Sequence, residues 1–236
     1  MMGTSSISQD RFATTRWSMV VRAAASTPAS ADNALAELAR RYCYAVYAYV
    51  RRCGHTPVIA SEITGKFLRE LTALSDAAPG QGHFRHYLLD RLNVFLGGDW
   101  HRIDDETSGT VILIPPDLET RYQRDVANAA SPEQAYERAF ALEVLARALQ
   151  RLQAEAEQTG HLPMYQALQV HLAHEPVPGE IDALGVQLNL PPLALVVALK
   201  RLRQRFRELA AQELADTVSS GNDLTIEQGN LRSVLQ

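Results

Sequence analysis

Between Val196 and Arg207 the chain carries Lys200, Arg201, Arg203, Arg205 and Arg207 with no acid among them. Cations packed that densely neutralise phosphates and need no cofactor to do it. Two hydroxyls in the stretch PVIASEITGKFL, Ser61 and Thr64, offer a second chemistry, since a phosphoryl group on either brings about −1.5 to −2 charges and three acceptor oxygens. Imidazole pairs at His83 with His86, and at His171 with His174 beside Glu175, have helical spacing. Two imidazoles still lack the third convergent ligand that a metal site needs. The chain has no G-x-S-x-G, no glycine-rich phosphate loop, and no carboxylate pair tied to a glycine turn or a base. The expectation is therefore a binding protein and not an enzyme, with no cofactor, no metal and no small-molecule substrate.

The basic run must be held by a helix, and the sequence predicts one in a helix-turn-helix. Ile181, Leu184, Gly185 and Leu188 form a short helix face, NLPP is a tight turn, and Leu195, Leu199, Leu202, Phe206 and Leu209 form the buried stripe of a second helix. Gly185 sits where a small residue lets the two helices approach. Leu193, Val196, Lys200, Arg203 and Arg207 fall along another side, so the cations can meet phosphates while the first turns enter a groove. Val196 and Val197 stand where base-reading Arg, Asn, Gln or Ser is expected; they either contact thymine methyls or signal weak readout. A solvated amphipathic helix with an arginine-rich face has the same pattern.

Upstream, the pattern is helical throughout. Thr14 or Thr15 caps a first helix, TTRWSMVVRAAA, and STPASADN reads as a loop after it. ALAELARRYCYAVYAYVRRC places Leu35, Leu38, Tyr42, Val46, Tyr49 and Val50 on one side and stops at Gly54. A third helix runs from Pro57 to about Leu74, a fourth over HFRHYLLDRLNVFLGGDWHR with Phe84, Leu88, Leu92 and Phe95 inward. Residues 103 to about 130 are acidic, with five acids and no base from Asp104 to Glu119, a short apolar run VILI stopped by Pro115 and Pro116, and no long amphipathic pattern, and read as a linker. Ser131 with Pro132 starts a long helix that Gly160 ends, and LPMYQALQVHLA is another. No strand alternation appears, so the fold expected is all-α: two helical domains joined by an acidic flexible linker. At 236 residues, 46% hydrophobic and net charge −4, the chain suits one large domain or two small ones. It has no apolar run of membrane-spanning length and no signal-peptide pattern, so a cytoplasmic protein without a membrane partner is expected. Cys43 and Cys53 sit ten apart on one helix, about 15 Å along its axis, too far to pair; both read as buried thiols.

These residues, in order, resemble a large group of extracytoplasmic-function sigma factors of bacterial RNA polymerase. FATTRWSMV resembles its opening F-P-T-T-R-W-S-L-V, and ALAELARRYCYAVYAYVRR its ALAELCRRYWYPLYAYVRR. Phe84–Arg85 matches its F-R pair, FLGGDW its F-L-x-x-E-W, SPEQAYERAFAL its S-P-E-x-x-F-E-R-x-W-A-L, and KRLRQRFREL its H-R-L-R-R-R-Y-R-E-L. ADTV and LRSVL look like its C-terminal tail. The resemblance implies sigma region 2 at 10–102, a linker at 103–130, sigma region 4 at 131–215 and a tail at 216–236. Region 2 would dock on the clamp helices of the polymerase β′ subunit and melt the −10 element, and region 4 would bind the −35 element and the β flap. For the −10 element the resemblance points to His83, Arg85, His86, Trp100 and Arg102, with Phe84 and Trp100 open to a core role instead. For the −35 element it points to Leu193, Val196, Val197, Lys200, Arg201, Arg203 and Arg205. The acidic linker either mimics nucleic acid near the RNA exit path or is a solvated loop. A polymerase-independent helix-turn-helix regulator is the alternative reading.

One departure stands out. The family's third helix reads roughly P-E-D-A-E-D-L-T-Q-E-F-F, with acids that face the basic clamp helices. Here Val58, Ile59, Ser61, Glu62, Gly65 and Lys66 take the docking positions, with one acid and one base from Val58 to Lys66. The family includes members switched by Ser/Thr kinases, which implies that phosphate can restore the missing charge. Thr64 is expected ahead of Ser61 as the acceptor, because Gly65 beside it weakens the helix by about 1 kcal/mol relative to alanine.

Overall fold

The computed structural model describes residues 28–73, 84–98, 100–102 and 113–215. The expected first helix, the tail at 216–236 and His83 lie outside these residues. The described chain is α-helical, with no strand among them. Helix α1 is Pro28–Arg52, α2 Pro57–Ala73, α3 Phe84–Gly97, α4 Leu118–Asp125, α5 Pro132–Gln158, α6 Leu162–Leu168, α7 Glu180–Leu188 and α8 Pro192–Ala215, with single 3-10 turns at Trp100–Arg102 and Gln169–His171. No single described helix is long and apolar enough to cross a membrane. Two compact units divide at Glu143 and Val144, inside α5.

In the first unit α1 is the central element. Every residue from Arg41 to Val50 is buried, so the helix is covered all round where the sequence showed only one apolar side. Four tyrosines, Tyr42, Tyr44, Tyr47 and Tyr49, are buried along this stretch. The Tyr42 ring stacks on Phe140 with centroids 5.2 Å apart, Tyr49 meets Tyr136 edge-on at 6.4 Å, and the Tyr49 hydroxyl donates to Asn93 Oδ1 at 2.6 Å. Cys43 lies in this core, where burial pushes its thiol up to about 12. Cys53, just past the helix end, is exposed, contrary to expectation. Helix α1 begins at Pro28, within the stretch expected to be a loop, because proline's fixed φ suits a first helical turn. Helix α3 stops at Gly97, short of the Arg102 expected; Gly98 donates to the Phe95 carbonyl at 3.1 Å and closes it.

The segment expected to be a flexible linker at 103–130 contains α4, and α4 is packed. Leu118, Tyr122 and Val126 are buried. Glu119 accepts from Arg51 Nε at 2.8 Å and Nη2 at 2.9 Å, and from the Tyr47 hydroxyl at 2.6 Å. Arg121 lies 4.0 Å over the Tyr44 ring and pairs with Glu143 at 2.8 Å. Glu119 and Arg121 find their partners within the fold, which is why so short a segment holds a fixed place. Helix α5 then starts at a reciprocal cap: Ser131 Oγ accepts from the Gln134 amide at 3.2 Å while Gln134 Oε1 accepts from the Ala130 amide at 3.0 Å.

The second unit, Val144–Glu213, packs α5, α6, α7 and α8 around two adjoining apolar clusters. Ala148, Leu152, Ala156, Tyr165 and Leu209 form one, and Leu168, Leu195 and Leu199 form the other, with Leu202 packed against both. Gly160 at φ +73 lets the chain reverse at the end of α5, where His161 donates to the Ala156 carbonyl at 2.8 Å.

Candidate nucleic-acid interface and docking helix

The helix-turn-helix forms because three local preferences agree. Asn189 takes the left-handed conformation at φ 53, which asparagine tolerates, and ends α7. Leu190 donates back to the Gly185 carbonyl at 2.9 Å, and Pro192 opens α8. The axes of α7 and α8 then meet at 103°, within the range of DNA-binding helix pairs. Gly185 is required by the turn itself and not by the facing helix: a Cβ there would lie 2.9 Å from the Leu190 carbonyl oxygen. Leu195 and Leu199 are buried, as their spacing predicts, and Leu202 and Phe206 are half-buried.

The early turns of α8 present Leu193, Val196 and Val197 to solvent, and Val186 and Leu190 extend this apolar tip. Beside it, a largely apolar groove of about 820 Å³ runs between α5 and α8, lined among others by Leu152, Met164, Val197 and Leu202, with Arg201 at its edge.

The basic run does not act as one cationic face. Arg203 is half-buried and donates to the carbonyls of His171 at 2.8 Å and His174 at 2.7 Å, and it pairs with Glu175. It ties down the loop that precedes α7. Arg205 makes a two-pronged pair with Glu155, at 2.8 and 2.7 Å, and reaches Glu208 at 3.1 Å. The hydrogen bonds with Glu155 push the Arg205 pKa up and the Glu155 pKa down. Two of the expected phosphate contacts are thus internal braces, held by carboxylates and carbonyls that sequence spacing does not reveal. Lys200 and Arg201 are exposed and have no ion pair with any described residue.

Helix α2 buries Ala60, Ile63, Thr64, Phe67 and Leu68 and exposes Val58, Ile59 and Glu62. Glu62 pairs with Lys66 at 2.9 Å one turn on. Ser61 and Gly65 are half-buried. Thr64 is 0% exposed, and its hydroxyl has no hydrogen-bond partner among the described residues. The preference for Thr64 over Ser61 as a kinase substrate is corrected on this point: a closed α2 offers no hydroxyl at Thr64, whereas Ser61 sits at the rim of the buried stripe.

The expected −10 residues separate in the same way. Arg85 is buried, pairs with Glu137 at 2.6 Å and lies 5.9 Å over the Phe140 ring. Trp100 is buried against His55, with ring centroids 6.3 Å apart. Both point inward, so neither is placed to stack on a base or bind phosphate. His86 is exposed; the side chain of Arg102 lies outside the described residues. His171 is buried 3.8 Å from Glu180, and among the described residues no three His, Cys, Asp or Glu side chains converge. The packed α4 and its Glu119 clamp went unforeseen; the signal present was Leu118, Tyr122 and Val126 at steps of four. Comparison of the chain with protein-family models, with curated proteins and with solved structures finds no match.

Proposed function

We propose that the chain is an alternative sigma factor, binding core RNA polymerase and directing it to a set of promoters. The observation that carries this reading is the helix-turn-helix of α7 and α8, at 103°, with Leu193, Val196, Val197, Lys200 and Arg201 exposed at its reading end. The ordered motifs from FATTRWSMV to LRSVL support the polymerase-dependent form of that reading. In it, α8 enters the −35 major groove, where Lys200 and Arg201 meet phosphates and the valines meet thymine methyls. Helix α2 docks on the β′ clamp helices through Val58, Ile59 and Glu62, region 4 meets the β flap, and the factor works in the cytoplasm. Phosphorylation of Ser61 by a Ser/Thr kinase would add about two negative charges to a face that has no net charge.

Run-off transcription with purified core enzyme tests the proposal. Promoter-specific RNA that requires the chain is the expected result, and its absence on every promoter of the chain's own genome refutes the reading. A sequence-specific gel shift without polymerase, together with no run-off product, would instead identify a polymerase-independent regulator.

A further inference from the structure

We infer that Leu113–Asp117 is an intramolecular strap that closes over α2, so that the free chain covers part of its own docking helix. The inference rests on the assignment of α2 to polymerase docking. Taking Ala60 as the centre of the buried stripe, Gly65 and Arg69 lie about 140° and 180° round the helix and belong on its solvent side. Yet both are half-buried, and the Lys66 side chain is only 11% exposed. The described atom that lies over Gly65 is Cγ1 of Ile114, 3.8 Å from where a Cβ would stand. Ile114 is half-buried while its neighbour Leu113 is 85% exposed, the alternation of an extended segment with one side against a surface.

The residues just after Ile114 hold the strap in place. Pro115 and Pro116 restrict the backbone, Leu118 is buried, and Glu119 is clamped to Arg51 and Tyr47 of α1. Ile114 is therefore delivered to α2 by an anchor on α1. The chemistry of the two surfaces agrees. An aliphatic strap cannot sit on a row of carboxylates without stripping their water. Gly65 presents no side chain, and Glu62 is neutralised by Lys66. The scarcity of acid on α2 is what lets the strap close.

A strap that is closed nine-tenths of the time weakens apparent affinity for polymerase about tenfold. The test uses the full chain. Gly65→Cys with Ile114→Cys, in a Cys53→Ser background, should form a disulfide readily under native conditions, while Gly65→Cys with Leu113→Cys should not. Affinity for core polymerase is then measured for the locked form, the same form after reduction, Ile114→Ser and Ile114→Asp, each checked for helical content. Locking should abolish or weaken binding, reduction should restore it, and both Ile114 variants should bind about three- to tenfold tighter than the parent. No crosslink at 65–114, or equal crosslinking at both pairs, overturns the strap. A crosslink with equal affinity in locked and released forms overturns its regulatory role. A crosslink with no polymerase binding by any form, parent included, refutes the docking assignment and the gating role with it, while leaving the contact itself in place.

Discussion

Replacing Glu119 by glutamine isolates the clamp that holds α4 to α1. Glu119 takes two bonds from Arg51, at 2.8 and 2.9 Å, one from Tyr47 at 2.6 Å and one from Gln123 at 2.8 Å. The Arg51 and Glu119 side chains are 15% and 31% exposed, between a surface pair and a buried one. Exposed pairs contribute about 0–1 kcal/mol and breaking a buried pair costs about 3–5, so Glu119→Gln should cost about 2 kcal/mol. The hydrogen bond from Arg51 holds the Glu119 carboxyl down at about 2, against an ordinary glutamate value near about 4.3. A folded-state pKa that is depressed gives stability that is complete above the unfolded value and is lost as pH falls through the folded one. The gap between parent and variant should therefore hold from neutral pH to about pH 5 and close as pH falls from about 4 towards 2. Urea unfolding followed by tryptophan fluorescence measures it, since Trp100 is buried in the same unit. A gap that ignores pH, or one below about 0.5 kcal/mol at neutral pH, would mean that Leu118, Tyr122 and Val126 hold α4 without the clamp.

Gly185→Ala places a methyl 2.9 Å from the Leu190 carbonyl oxygen; overpacking of about 1–3 kcal/mol should exceed the helix-propensity gain of about 1, lowering the urea midpoint. Arg203→Ala removes the ties to His171, His174 and Glu175 and should destabilise by about 2 kcal/mol. Lys200→Ala and Arg201→Ala should leave stability within about 0.5 kcal/mol while weakening promoter binding, as equilibrium unfolding and anisotropy titration would show. Thr64→Val replaces an unpartnered buried hydroxyl by a methyl of similar shape, so stability should be unchanged or higher, whereas Thr64→Glu should cost about 3 kcal/mol or more by burying a charge.

Helices that bury one face were legible from spacing alone: Ala60, Ile63 and Phe67 in α2, and Leu195, Leu199 and Leu209 in α8, are buried as their period requires. The pattern failed where polar atoms find partners far along the chain. Tyr44 and Tyr47 are not on the apolar side that spacing marks on α1, yet both are buried, with Arg121 and Glu119 of α4 against them. The acids up to Glu119, the break at Pro115 and Pro116 and the lack of a long amphipathic pattern make the segment around α4 read as a linker, because a charge in a sequence does not declare its counter-charge. The same holds at the candidate interface. Arg205 is answered by Glu155 and Arg85 by Glu137, each partner some fifty residues away in sequence.

The internal bracing of Arg203 and Arg205 also bears on how firmly α8 would hold DNA in the proposed −35 role. Each phosphate neutralised releases most of one condensed counterion, so a contact made by the three remaining exposed cations, Lys200, Arg201 and Arg207, would give a salt slope of about −2.7, where five free cations would give about −4.5. With so shallow a dependence, the proposed interface would gain little from low ionic strength and would release DNA easily. Its residence on a promoter would then be set by what else is tethered to the same stretch of duplex, and by how high that tether raises its local concentration.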